Sequence, residues 1–103
     1  MEMEKGSPIA IPWYENEESY LTVLSMLPAS ERQDPFAYDV FMAQTKASEN
    51  RFKSNGFITY RVPIEAATVK AWCNSNNQPV CRKSIAEFIM AELAVRLRKS
   101  GQN

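Results

Sequence analysis

Phe57-Ile58-Thr59-Tyr60-Arg61-Val62-Pro63 decides the reading of this chain, because it is the clearest strand in it. Ile58, Tyr60 and Val62 fall on one face and Phe57, Thr59 and Arg61 on the other, as the two-residue period of a strand requires. Pro63 closes the run. Asn55-Gly56 stops the helix before it, since glycine reaches the left-handed backbone conformation at little cost. The expected strand is therefore 57–62. A lone strand leaves a row of backbone donors and acceptors unpaired. Two partners are open to it: the extended segment 9–13, in which Ile9, Ile11 and Trp13 alternate with Ala10 and Pro12, or its own copy in a second molecule. The proline makes 9–13 unfit for a central strand.

Helical spacing accounts for most of the remainder. Asn16 is a candidate N-cap, followed by Glu17 and Glu18 at the positive end of the helix dipole. Tyr20, Val23, Leu24 and Leu27 then recur at three- and four-residue intervals up to Pro28. Asp34-Pro35 reads as the start of a second, longer helix, with Phe36, Val40, Ala43 and Ala47 on one stripe and Ala37, Phe41 and Phe52 broadening it. A third helix is predicted over 65–74, with Val69, Trp72 and Cys73 turned inward, and 74–79 is a polar loop. Ser84-Ile85-Ala86-Glu87 reads as a capping box opening a last helix to about residue 99. Its core face is Ile85, Phe88, Ile89 and Leu93, and Arg96, Arg98 and Lys99 suit its negative end.

The expected fold class is helix-rich α+β: four helices, one main strand at 57–62 and a short extended segment at 9–13. Residues 1–8 and 100–103 are expected to be disordered, flanking a single domain over 9–99. The predicted core is Tyr20, Leu24, Leu27, Val40, Phe41, Ile58, Tyr60, Val62, Val69, Trp72, Ile85, Phe88, Ile89 and Leu93. A chain of 103 residues buries a modest core, and association would bury more apolar surface. A homodimer is expected on this ground and on that of the lone strand.

The apolar fraction of 45% excludes a disordered chain. No apolar run approaches the roughly 18 residues of a membrane span, so no membrane partner is expected. The acidic start, Met1 to Gly6, has no apolar segment behind it and does not read as a secretory signal. With only Cys73 and Cys81 there is no disulfide framework, and a reduced, cytoplasmic location is expected. The zero net charge conceals an asymmetry: residues 1–45 sum to −6 and residues 46–103 to +6. The halves either neutralise each other by packing, or the basic half meets a polyanion.

Catalysis is not expected, and no cofactor or metal is. There is no histidine, so Ser-His and Cys-His pairs cannot be built. Gly6, Gly56 and Gly101 are too scattered for a phosphate-cradling loop, and two thiols do not complete a tetrahedral zinc site. Asp34 is explained as a cap. Cys73 shares a helical face with Val69 and reads as a small buried apolar residue. Cys81 lies beside Arg82 and Lys83, which favour a thiolate. Trp13, Tyr14 and Trp72 either pack in the core or form a shallow aromatic surface for a ligand or partner.

The order strand, Pro63, helix, polar loop, capped helix over Ile58–Lys99 resembles the ribbon-helix-helix family of DNA-binding proteins. Ile58-Thr59-Tyr60-Arg61-Val62-Pro63 matches the ribbon, and Ser84-Ile85-Ala86-Glu87-Phe88-Ile89 matches the opening of the second helix. That resemblance implies a ribbon shared by two chains, with Phe57, Thr59 and Arg61 entering the major groove and Arg82, Lys83 and Ser84 on phosphate. A second resemblance covers about residues 11 to 95. Ile11-Pro12-Trp13-Tyr14, Leu27-Pro28, Arg61-Val62-Pro63-Ile64 and Ala71-Trp72-Cys73 resemble a family of small bacterial proteins without an established activity. It implies a shared fold and a bacterial cytoplasmic origin, and carries no site. The leading expectation is a non-catalytic interaction or regulatory module that binds a protein or small ligand; the alternative is a ribbon-helix-helix-like DNA-binding regulator.

Overall fold

The computed structural model describes residues 7–32 and 36–101. It has the helix-rich α+β architecture: β1 (Pro8–Trp13), α1 (Glu17–Met26), a single 3-10 turn (Ala29–Glu31), α2 (Tyr38–Ser54), β2 (Ile58–Pro63), α3 (Ala66–Ser75) and α4 (Arg82–Gly101). β1 and β2 pair in parallel, from Pro8 opposite Ile58 to Trp13 opposite Pro63. Of the two partners open to the main strand, the structure uses the one within the chain. Parallel strands cannot be joined by a hairpin, and α1 and α2 supply the crossover between them.

The ladder is pinned at its ends by Ile58 N–H to Ser7 O at 3.4 Å and Ile64 N–H to Trp13 O at 2.8 Å. Backbone groups alternate sides along a strand. Ile9, Ile11 and Trp13 of β1 therefore aim theirs at β2, while Pro8, Ala10 and Pro12 aim outward. On β2 the outward positions are Thr59, Arg61 and Pro63. Half of these six outward positions are prolines, which have no N–H to offer. The Arg61 carbonyl on the outer edge of β2 is already taken by Arg96 Nη1 from α4 at 2.7 Å. Both edges of the sheet are thereby blunted against further strands.

Each face of the sheet is covered. α2 packs on both strands, and so does α4. Thr59 and Arg61 lie opposite Ile9 and Ile11 on the α2 side, where the Arg61 guanidinium makes a two-pronged bond to Glu49, Nε to Oε2 at 2.8 Å and Nη2 to Oε1 at 2.9 Å. The same guanidinium lies 3.8 Å from the centroid of the Trp13 ring. On that side too, Phe57 meets Phe52 edge-to-face at 5.8 Å. The other side holds Val62, which has no exposed surface. The main core continues from there through Ile64, Val69, Cys73 and Phe88 to Tyr20, Val23 and Leu27 of α1. Trp72 closes it edge-to-face on Phe88 at 5.9 Å.

Local signals place most helix ends. Asn16 Oδ1 accepts from Ser19 N–H at 2.8 Å and caps α1. Gly56 adopts φ 88° after α2, and its N–H returns to Lys53 O at 3.1 Å. Two helix starts differ from expectation. α2 begins at Tyr38, with no side-chain cap on Ala37; the expected Asp34-Pro35 start lies outside the described residues. α4 begins two residues before Ser84, which sits inside the first turn. Its hydroxyl takes Cys81 N–H at 2.9 Å and donates to Pro79 O at 2.8 Å. The Arg82 N–H is capped by Glu31 Oε1 at 2.8 Å, from 51 residues away. A tertiary cap thus replaces the expected capping box, and Glu87 Oε2 is left buried without a partner among the described residues.

The predicted core needs two removals. Val40 is 44% exposed and Ile58 52% exposed: the buried stripe of α2 is Met42, Thr45 and Glu49, and Ile58 stands at the very start of β2. Leu24, Phe41, Tyr60, Trp72 and Ile89 are half-buried, and Ile11, Tyr14, Val23, Met42, Ile64 and Cys73 join the core. The expected ends also shift. Pro8 belongs to β1 and α4 continues to Gly101, while residues 1–6 and 102–103 lie outside the described residues.

Two outcomes test this packing. The Arg61 hydrogen bonds, aided by the charges of Arg61, Lys53 and Lys46, hold the Glu49 carboxyl below the usual carboxylate range against the opposing effect of burial. A carboxyl depressed on folding adds stability above its unfolded pKa, about 4.3, that is lost as pH falls through the lower folded value. Glu49→Gln should melt several degrees below the wild type at neutral pH, with the gap closing in acid; circular dichroism melts between about pH 7 and about pH 3 read this. A gap that persists unchanged in acid would assign the effect to shape and not to charge. Phe88→Ala should lower the unfolding free energy by about 3–5 kcal/mol in urea titration; a loss under about 1 kcal/mol would mean that Phe88 is not packed as described.

Candidate ligand-binding cleft

The cleft is built from repeats of one spacing. Tyr20, Val23 and Leu24 of α1 and its C-cap Leu27 stand at positions i, i+3, i+4 and i+7, and so do Arg82, Ile85, Ala86 and Ile89 of α4. Each set is one face of a helix. The two faces do not close on each other. They leave a cleft of about 480 Å³, completed by Phe36, Phe41 and Gln44 on and before α2, and floored by Pro12, Tyr14 and Ile64. Those floor residues are at or just beyond the carboxyl ends of the two parallel strands. In parallel sheets that end is where ligands are bound, because the connecting segments diverge there.

Aromatic rings form the inner wall. Tyr14 and Tyr20 meet edge-to-face at 5.2 Å, and Tyr14 and Phe41 at 5.6 Å. The Tyr20 hydroxyl donates to Phe36 O, and the Tyr38 hydroxyl donates to Tyr14 O at 2.8 Å. The Tyr14 side chain differs from both. Tyr14 is 7% exposed, lines the cleft, and its own hydroxyl makes no hydrogen bond among the described residues. Burial, with a smaller contribution from Tyr20, pushes its phenol up to about 12. Tyr20 is also raised by burial, against the opposing charge of Arg82.

Arg82 is the cationic element of the rim. Its Nη2 donates to the main-chain oxygen of Glu31 at 3.2 Å, while the Glu31 carboxylate is occupied by the Arg82 amide. Among the described residues the one ion pair is Glu49–Arg61. The oppositely charged halves of the chain thus meet at Glu31 and Arg82 without forming a carboxylate–guanidinium pair there.

The structure brings Arg82 and Tyr14 together in this cleft and separates the other residues singled out in the sequence. Phe57 and Arg61 face α2, and Arg61 is held by Glu49. Thr59 is half-buried on the same face, Lys83 is exposed, and Ser84 is buried with its hydroxyl bound to main chain. Trp72 belongs to the core. Trp13 lies beside a second depression with Glu15, Asp39 and Lys46, and Lys46 Nζ is 5.9 Å from the Trp13 ring centroid. Tyr14 lines that depression together with Trp13, whereas Trp72 packs against the core elsewhere. Sequence reasoning missed Gln44, and it assigned Leu24, Ile85 and Ile89 to the core alone. Periodicity identifies an apolar face and is silent on whether that face is fully covered.

The Cys81 thiol is drawn below its usual value chiefly by the polar groups of the neighbouring Ser84, and Cys73 is buried. Among the described residues no group of three or more His, Cys, Asp or Glu side chains is placed to hold a metal ion, and no helix is long and apolar enough to cross a membrane. No family model, curated protein or solved structure matches the chain.

The phenols provide a direct test of the cleft wall. Tyrosinate absorbance followed through alkaline pH should show its last step near pH 12, and Tyr14→Phe should remove that step while leaving the others. Retention of the late step in Tyr14→Phe would place Tyr14 in solvent instead.

Proposed function

We propose that this protein is a non-catalytic binding module whose cleft between α1, α2 and α4 holds a small, largely apolar ligand. The observation that carries the reading is the position and lining of the cleft. It opens at the carboxyl ends of both strands, and its walls are apolar and aromatic with a few polar groups. Its volume is within the roughly 300–1,000 Å³ of small-molecule sites. Among the described residues, the apolar lining there includes half-buried Leu24, Phe41 and Ile89 and exposed Phe36 and Ala86. Binding such a ligand removes that lining from water, at about 25 cal/mol per Å² of apolar surface.

The test is thermal stabilisation by 1-naphthaleneethanol and related single-ring and two-ring compounds. A ligand that binds only the folded chain raises Tm in proportion to its occupancy. Compounds of this kind should raise Tm and perturb the amide resonances of Leu24, Ile85 and Ile89. Ala86→Trp should remove both effects, because Ala86 lines the cleft yet is exposed, so the indole fills the space without disturbing the core. Compounds that leave Tm unchanged, or that act equally on Ala86→Trp, would sink the proposal.

A further inference from the structure

Four side chains of the cleft lining carry polar groups, Tyr14, Tyr20, Gln44 and Arg82, and the one formal charge among them is that of Arg82. At the floor is Tyr14, 7% exposed and edge-to-face with Tyr20, whose own hydroxyl is taken by Phe36 O. At the rim is the Arg82 guanidinium, whose charge no carboxylate neutralises among the described residues. Arg82 is also the first residue of α4, and its amide, at that end of the helix, is already capped by Glu31. The nearest carboxylate, on Glu31, is turned to the Arg82 amide at 2.8 Å. Between floor and rim lie Leu24, Leu27, Ile85 and Ile89, which offer contact but no hydrogen bond.

Resting on the cleft reading, we infer that the ligand is a small amphipathic acid: an apolar ring or short chain that carries one carboxylate. The carboxylate pairs with Arg82 at the rim, where the guanidinium fork matches its two oxygens. The apolar body lies along the faces of α1 and α4. An amine of the same shape is disfavoured, because it would bring a second cation against Arg82. A neutral alcohol gains the apolar contact alone.

Titration calorimetry with 1-naphthaleneacetate and 1-naphthaleneethanol separates the charge from the ring they share. The acid is expected to bind at least about tenfold more tightly than the alcohol, equivalent to about 1.4 kcal/mol. Arg82→Gln should bring the two affinities within about twofold of each other by weakening the acid alone. Lys83→Gln, which removes an adjacent exposed charge outside the cleft lining, should preserve the tenfold ratio. Circular dichroism of each variant confirms that it is folded. Equal affinities in the wild type, both abolished by Ala86→Trp, would overturn the inference and leave the cleft reading standing. A ratio that survives Arg82→Gln, or falls equally with Lys83→Gln, would also overturn it. Binding of neither compound, or acid binding indifferent to Ala86→Trp, would overturn both readings.

Discussion

A parallel pair of strands is the constraint from which the other features descend. Once Ile58–Pro63 is bound to Pro8–Trp13 in the same direction, the chain between them must travel back along the full length of the sheet. α1 and α2 make that return. Because both strands run the same way, their carboxyl ends lie side by side, and α1 and α3 both depart from that end. The first helix of the crossover and the last helix of the chain then frame the opening above Tyr14 and Ile64. An antiparallel pair would have split those ends between opposite edges of the sheet. The cleft is therefore a consequence of strand direction and not of any one side chain.

Such a small sheet is vulnerable, and two devices protect it. Its edges carry Pro8, Pro12 and Pro63 at outward positions, so half of the sites where another strand would seek an N–H have none. The Arg96 side chain occupies the Arg61 carbonyl on the remaining edge. The second device ties the sheet to α2. Glu49 is 3% exposed, and a carboxylate there is tolerable only with its oxygens satisfied. Arg61 meets both of them, and its guanidinium plane rests on Trp13 from the neighbouring strand. One arginine thus joins a helix, its own strand and the adjacent strand.

Local chemistry was legible in the sequence and long-range chemistry was not. The main strand, the Asn16 cap, the Gly56 stop and the Pro28 boundary each depend on neighbours within four residues, and each was found. The start of α4 was misplaced because its first amide is capped by Glu31, 51 positions away; Ser84-Ile85-Ala86-Glu87 offered a plausible local cap that the fold did not use. Arg61 read as one of the strand's second-face residues and as a groove contact, since nothing nearby in sequence announces Glu49 as its partner. Val40 was placed in the core because its stripe and that of Met42, Thr45 and Glu49 are both helical, and the polar members of the latter disguise a buried face. The cleft was invisible for a related reason. A face that is packed and a face that is half-covered have the same pattern of leucines and isoleucines.

Whether an uncovered apolar face is a binding surface or merely incomplete packing turns on what fixes its walls. Loose walls would collapse inward, since interiors pack densely and gain dispersion energy by doing so. Here the walls are tied to one another by polar contacts that do not fill the space. Tyr20 of α1 bonds to the Phe36 carbonyl ahead of α2, Tyr38 of α2 bonds to the Tyr14 carbonyl beyond β1, and the α4 amide and guanidinium of Arg82 bond to the turn at Glu31. Each contact links two different elements around the opening. To close the cleft, the chain would have to break at least one of them and leave a polar group without its partner. Walls tied in this way are ordered in the free chain, and in the binding role proposed above that would spare the ordering a ligand otherwise has to impose. The same contacts fix the Tyr14 main chain at the floor and Arg82 at the rim.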